Sequence, residues 1–255
     1  MKHAARGFFG LLLILATSVL VAPSVAVAEP ITVRFTEGVT RGFPVIRNAK
    51  GEKIAQGDLI QVARGDRVEC RMVFRFRDGS IYDETVAFAQ NGVFTLLSYR
   101  LVQQGPSFPE KIEAWVDRAT QRYEVRYKAD EESPEETYRG RITLPGDVYN
   151  GLLTTLIKNL APGASDTVQI LAFTPKPRLV KMLLAPAGAE PVLIGESPEQ
   201  ALHYKIKPQL GLFASLLVAD VPDLNVWVLS GEAPGFLKFE GPLYFMGPLW
   251  RIEPN

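Results

Sequence analysis

Two histidines and one cysteine limit the chemistry that this 255-residue chain can perform. Its histidines are His3 and His203, and its only thiol is Cys70. A nucleophilic triad needs a base beside the nucleophile, so His203 is the candidate partner for a serine, or for Cys70 in a papain-like pair. His203 lies in L-H-Y-K-I-K, where alternation groups it with Lys205 and Lys207 on the polar face of a strand. No G-x-S-x-G elbow accompanies it. Cys70 shares a strand face with Met72 and Phe74, the usual setting of a buried, inert thiol. Zinc sites made of several His or Cys ligands cannot be assembled from this set. No catalytic residue, metal site or cofactor is assigned.

Two charged groups invite an anion or a cation. Arg67, Arg71, Arg75 and Arg77 could grip a carboxylate or phosphate, since guanidinium forks bind both bidentately. Glu69, Asp78, Asp83 and Glu84 lie on the same hairpin and can neutralise these arginines across strands, which makes a solvated, salt-bridged face. The acidic run Asp130–Glu136 lacks the alternating ligands and glycine of an EF-hand loop and reads as a hairpin tip. Carboxylates are plentiful, but no motif brings two together as a glycosidase pair. The loops Gln103–Pro109 and Thr174–Arg178 are rigid enough to act as recognition elements or as plain strand connectors.

The elements that must hold these residues are mostly strands. In C-R-M-V-F-R-F-R, Cys70, Met72, Phe74 and Phe76 face one way and Arg71, Arg75 and Arg77 the other. Asp78-Gly79 and Asn91-Gly92 supply hairpin turns, so residues 70–77, 80–90 and 93–103 form a three-stranded meander. Further strands are predicted at 31–36, 58–63, 111–117, 122–128, 137–144, 168–173, 179–184, 201–207, 224–230 and 236–239, with 243–252 closing the sheet. Residues 145–160 predict the one clear helix. Asp147 can cap it, and Val148, Leu152, Leu153, Leu156 and Ile157 recur at helical spacing before Pro162-Gly163. Residues 210–219 are apolar and read as a second helical or buried piece. The fold class that follows is mainly β, a large curved antiparallel sheet forming an incomplete barrel around one central amphipathic helix.

Composition and charge agree with an ordinary globular chain. Hydrophobic residues make up 47% and charged residues 22%, and 28 basic residues balance 28 acidic ones. That balance offers no excess of Lys and Arg for nucleic acid. Lys2 and Arg6 precede an uncharged run over 8–22, and Ala26-Val27-Ala28 has the small-x-small pattern of a signal-peptidase site. The expectation is a leader over 1–28 cleaved after Ala28, a single β-rich domain over 29–255, and a periplasmic location. The expected mature chain carries no transmembrane span. With one cysteine it carries no internal disulfide, so its stability rests on the core.

The segments F-R-F-R-D-G-S at 74–80, D-V-Y-N-G-L-L at 147–153, T-P-K-P-R-L-V-K at 174–181 and G-P-L-Y-F-M-G-P-L-W-R-I-E at 241–253 resemble an uncharacterised family of exported bacterial proteins. That resemblance carries no activity. The element order, a long run of strands interrupted by one amphipathic helix, also resembles the LolA/LolB-like half-barrels. It implies an apolar cavity between sheet and helix.

The function expected on these grounds is binding or carrying a lipid or other apolar molecule. The candidate cavity residues are Phe74, Phe76, Phe88, Phe94, Leu96, Leu153, Ile157 and Trp227, which would otherwise be core. An envelope structural or assembly protein that binds another protein is the alternative. An exported hydrolase is the third reading.

Overall fold

The computed structural model describes residues 29–209, 222–231 and 234–255. The expected leader over 1–28 and the apolar stretch 210–219 lie outside the described residues. Among the described residues one antiparallel sheet holds every strand. In chain order these are β1 (Thr40–Gly42), β2 (Pro44–Arg47), β3 (Lys53–Arg64), β4 (Arg67–Phe76), β5 (Ile81–Asn91), β6 (Val93–Gln104), β7 (Lys111–Asp117), β8 (Arg122–Lys128) and β9 (Glu136–Arg141). After the helix α1 (Leu153–Asn159) come β10 (Asp166–Phe173), β11 (Pro177–Ile194), β12 (Ser197–Gln209), β13 (Leu224–Leu229), β14 (Phe236–Gly241) and β15 (Trp250–Pro254).

The sheet runs β10-β11-β12-β13-β14-β15-β2-β3-β4-β5-β6-β7-β8-β9, with β1 attached to β3. Its two ends are not hydrogen-bonded to each other, so it is an open, curved sheet and not a closed barrel. Curvature nevertheless brings them close. Phe173 at the end of β10 stacks on Tyr99 of β6 and packs against Ile112, Ala114 and Val125 of β7 and β8. The concave face is apolar and wraps α1, as the alternation predicts.

Four sequence expectations are corrected here. The helix spans only 153–159, not 145–160. Asp147 does not cap it; its carboxylate accepts two bonds from Gln169 Nε2, at 2.9 and 2.8 Å. Residues 147–150 instead lie along the free edge of β10, with a parallel bridge from Val148 to Gln169. Tyr149 N donates to Gln169 O at 2.9 Å, and Gln169 N donates to Asp147 O at 2.8 Å. The Asn150 side chain continues this ladder, bonding Leu171 O and Leu171 N. An uncovered edge is an open template for another strand, and this segment covers it. Arg118 fixes where the segment begins, donating to Leu144 O at 2.7 Å and Pro145 O at 2.9 Å.

Residues 31–36 are not a regular strand; they make one bridge, Thr32 to Val93. The closing strand is β15, later than expected, because 243–249 is a turn-rich loop. β11 and β12 run well past the sheet body as a hairpin arm. Both of its faces are exposed, and Leu193 and Ile194 stand out near its tip.

Candidate functional site

Among the polar side chains of the concave face, Glu84 sits between apolar strand neighbours. Alternation along β5 puts Tyr82, Glu84, Val86 and Phe88 on the inner side. Glu84 Oε1 accepts a hydrogen bond from Tyr99 Oη at 2.7 Å and from Tyr82 Oη at 3.3 Å. Met72 of β4 and Leu101 of β6 flank it in register. Burial raises the pKa of Glu84, and the two tyrosine bonds offset only part of that effect. The same burial, with the Glu84 charge beside them, raises both tyrosines well above their ordinary value.

Glu84 is half-buried. Its accessible surface lies beside exposed Gly151. Met72 and Leu59, its neighbours in register across β4 and β3, are half-buried in the same way. Above it lies Gly151, exposed and at φ +70°, where a Cβ would sit 3.3 Å from Val86 and 3.5 Å from the Glu84 carboxyl carbon. Glycine lets the edge-covering segment approach this closely in a left-handed conformation.

The sequence placed Glu84 with the acids that could neutralise the arginine face. The structure separates it from them. Asp83 points outward and pairs bidentately with Arg71, at 2.9 and 2.7 Å, while Glu84 points inward. Adjacent residues of a strand cannot share a face, so the signal was present in the Tyr82-x-Glu84-x-Val86-x-Phe88 alternation.

Of the eight expected cavity residues, Phe74, Phe76, Phe88, Phe94, Leu96 and Ile157 belong to one buried cluster, and half-buried Leu153 packs against it. Phe88 and Phe94 are 6.0 Å apart, centre to centre. Trp227 is the exception and is removed from the group. Val226 and Val228 take the inner positions of β13, which turns Trp227 to the other face. There it stacks on His203 at 4.2 Å, with Lys238 Nζ 3.8 Å from the ring centre. His203 Nε2 meets Asn225 Oδ1 at 2.9 Å on the same outer face.

Cys70 is on the inner face, and burial, with Glu84 and Glu37 nearby, pushes its thiol up to about 12. At neutral pH it stays a thiol, not a nucleophilic thiolate. The loop 103–109 turns out to be an anchor. Phe108 is buried among Phe76, Tyr244 and Trp250, with centre distances of 5.4, 5.6 and 6.1 Å. Ser107 N donates to Ser80 Oγ at 2.8 Å and holds the loop there.

No helix among the described residues is long and apolar enough to cross a membrane. No family model matches the chain, and no curated protein is significantly similar to it. Among solved structures it is similar to the crystal structure of a β-barrel-like protein of domain of unknown function DUF1849 from Brucella abortus. The TM-score is 0.45 and the identity 10%, over 87% of this chain and 98% of that one.

Proposed function

We propose that this chain is an exported protein that holds a lipid or other apolar molecule against the concave face of its sheet. The observation that carries this reading is the half-buried Glu84 with its two tyrosines, set in an apolar concavity. Small-molecule sites are built in this way, with apolar walls and a few placed polar groups. Half-buried Met72, Leu59 and Leu153 offer apolar surface nearby. The leader pattern over 1–28 and the resemblance to LolA/LolB-like half-barrels support export and an apolar cargo.

Leu153 tests the reading, because it is inward yet keeps accessible surface at the start of α1. In titrations with N-phenyl-1-naphthylamine, an uncharged apolar dye, Leu153→Trp should bind about tenfold more weakly, a loss of about 1.4 kcal/mol. Its circular dichroism should match the parent. Equal affinity in a folded variant would remove Leu153 from the site. The protein-binding alternative takes its support from the exposed arm of β11 and β12. An isolated two-stranded hairpin is marginal in water, and this one displays Leu193 and Ile194. Finding the interior empty in protein purified from cells would favour it.

A further inference from the structure

We infer that Glu84 anchors the polar end of the bound molecule, and that this end is a hydrogen-bond donor, an amine in preference to a hydroxyl, and not a carboxylate or phosphate. The inference rests on the interior-binding reading above and adds the chemistry of the headgroup. Both tyrosine hydroxyls are spent on Oε1. Among the described residues nothing donates to Oε2. Ionised, Glu84 can only accept hydrogen bonds, and a cationic donor favours that form against the burial that raises its pKa.

Charge points the same way. An anionic headgroup beside Glu84 would add like-charge repulsion to the cost of burial. The nearby cation that could offset it, Lys158 of α1, is already paired with Glu37, and both side chains are largely buried. Glu37 is in turn held by Gln61 Nε2 at 3.1 Å. A cationic amine reverses the balance by giving Glu84 the partner that a buried carboxylate lacks. Half-buried Met72, in register with Glu84, then meets the adjoining hydrocarbon.

The test compares dodecylamine, dodecanol and dodecanoate, equal in chain length, below their aggregation concentrations. Calorimetric titration of the mature protein at neutral pH should rank the amine first. The expected margin over dodecanoate is at least about tenfold, since charge-assisted bonds exceed neutral ones. Glu84→Gln keeps an acceptor for both tyrosines and removes the charge. It should weaken dodecylamine about tenfold while dodecanol changes less than about threefold. If that variant does not fold, Met72→Lys supplies a tethered ammonium opposite Glu84 and should weaken the amine to a similar degree. An amine preference that survives Glu84→Gln, or equal binding of all three ligands, would overturn the headgroup assignment and leave interior binding standing. Failure of all three ligands to bind would overturn both.

Discussion

Replacing Phe94 with alanine is expected to destabilise the chain by about 3–5 kcal/mol, the range for large-to-small changes in a packed core. Phe94 is fully buried, with its ring against Phe88. Its backbone is fixed on both sides. Phe94 N donates to Ile31 O at 2.9 Å, and Phe94 O accepts from Tyr149 Oη at 3.2 Å. With the backbone held, the surroundings cannot collapse into the space the ring leaves, so both the transfer and the cavity costs apply. Domains are typically stable by about 5–15 kcal/mol, so this one substitution removes a large share. Urea unfolding should show a lower midpoint with an unchanged slope. A loss below about 1 kcal/mol would mean that Phe94 borders empty space, and the cavity would then extend to this end of the concave face.

The second large effect is at Asn159, the last residue of α1. Its Oδ1 accepts from Arg34 N at 2.8 Å and Phe35 N at 2.7 Å, and its Nδ2 donates to Thr155 O at 2.8 Å. One buried amide thereby ties the segment after residue 30 to the helix, in a stretch with little strand pairing of its own. Asn159→Leu conserves size and removes the acceptor. Two part-buried backbone donors then lose their partner, at up to about 1–3 kcal/mol each, or at most about 2–6 kcal/mol together. Asn159→Asp keeps the acceptor and should recover most of the loss. Thermal unfolding measures the total, and hydrogen exchange locates it: the Arg34 and Phe35 amides should lose protection first. Unchanged protection at those two amides in Asn159→Leu would show that the tie is not made through this side chain.

The parts of the fold that were legible in the sequence are those where alternation and turn chemistry agree. β4, β5 and β6 follow from inward Cys70, Met72, Phe74 and Phe76 and from the turns at Gly79 and Gly92, both at positive φ. β7 and β8 have the predicted bounds. β2 was missed because Pro44, Val45 and Ile46 are all buried, which erases the period of two. The helix was overextended because apolar spacing from 148 to 157 cannot distinguish one helix from an edge-cover followed by a short helix. The deciding contacts, Asp147 with Gln169 and Asn150 with Leu171, join residues more than twenty apart.

The candidate site was partly legible for the same reasons. Six of the eight chosen residues are packed in the buried core, the alternative to a cavity lining, and half-buried Leu153 packs against them. Trp227 was included for its size, and its strand parity, with valines on both sides, is what turned it outward. Glu84 was on the page as one acid among several. Its role emerges only when β6 brings Tyr99 beside it, a placement set by the irregularity at Ala87/Phe88. A bulge of this kind shifts which residues face each other and leaves no mark in a single sequence.

The central claim is that the concave face holds an apolar molecule. Mass spectrometry of a solvent extract tests it most directly, using mature protein purified from the cell envelope fraction without detergent. The expected result is one apolar compound in stoichiometric amount, present in the parent and depleted in Leu153→Trp. A parent protein that yields no such compound would contradict the account and move attention to the exposed arm that carries Leu193 and Ile194.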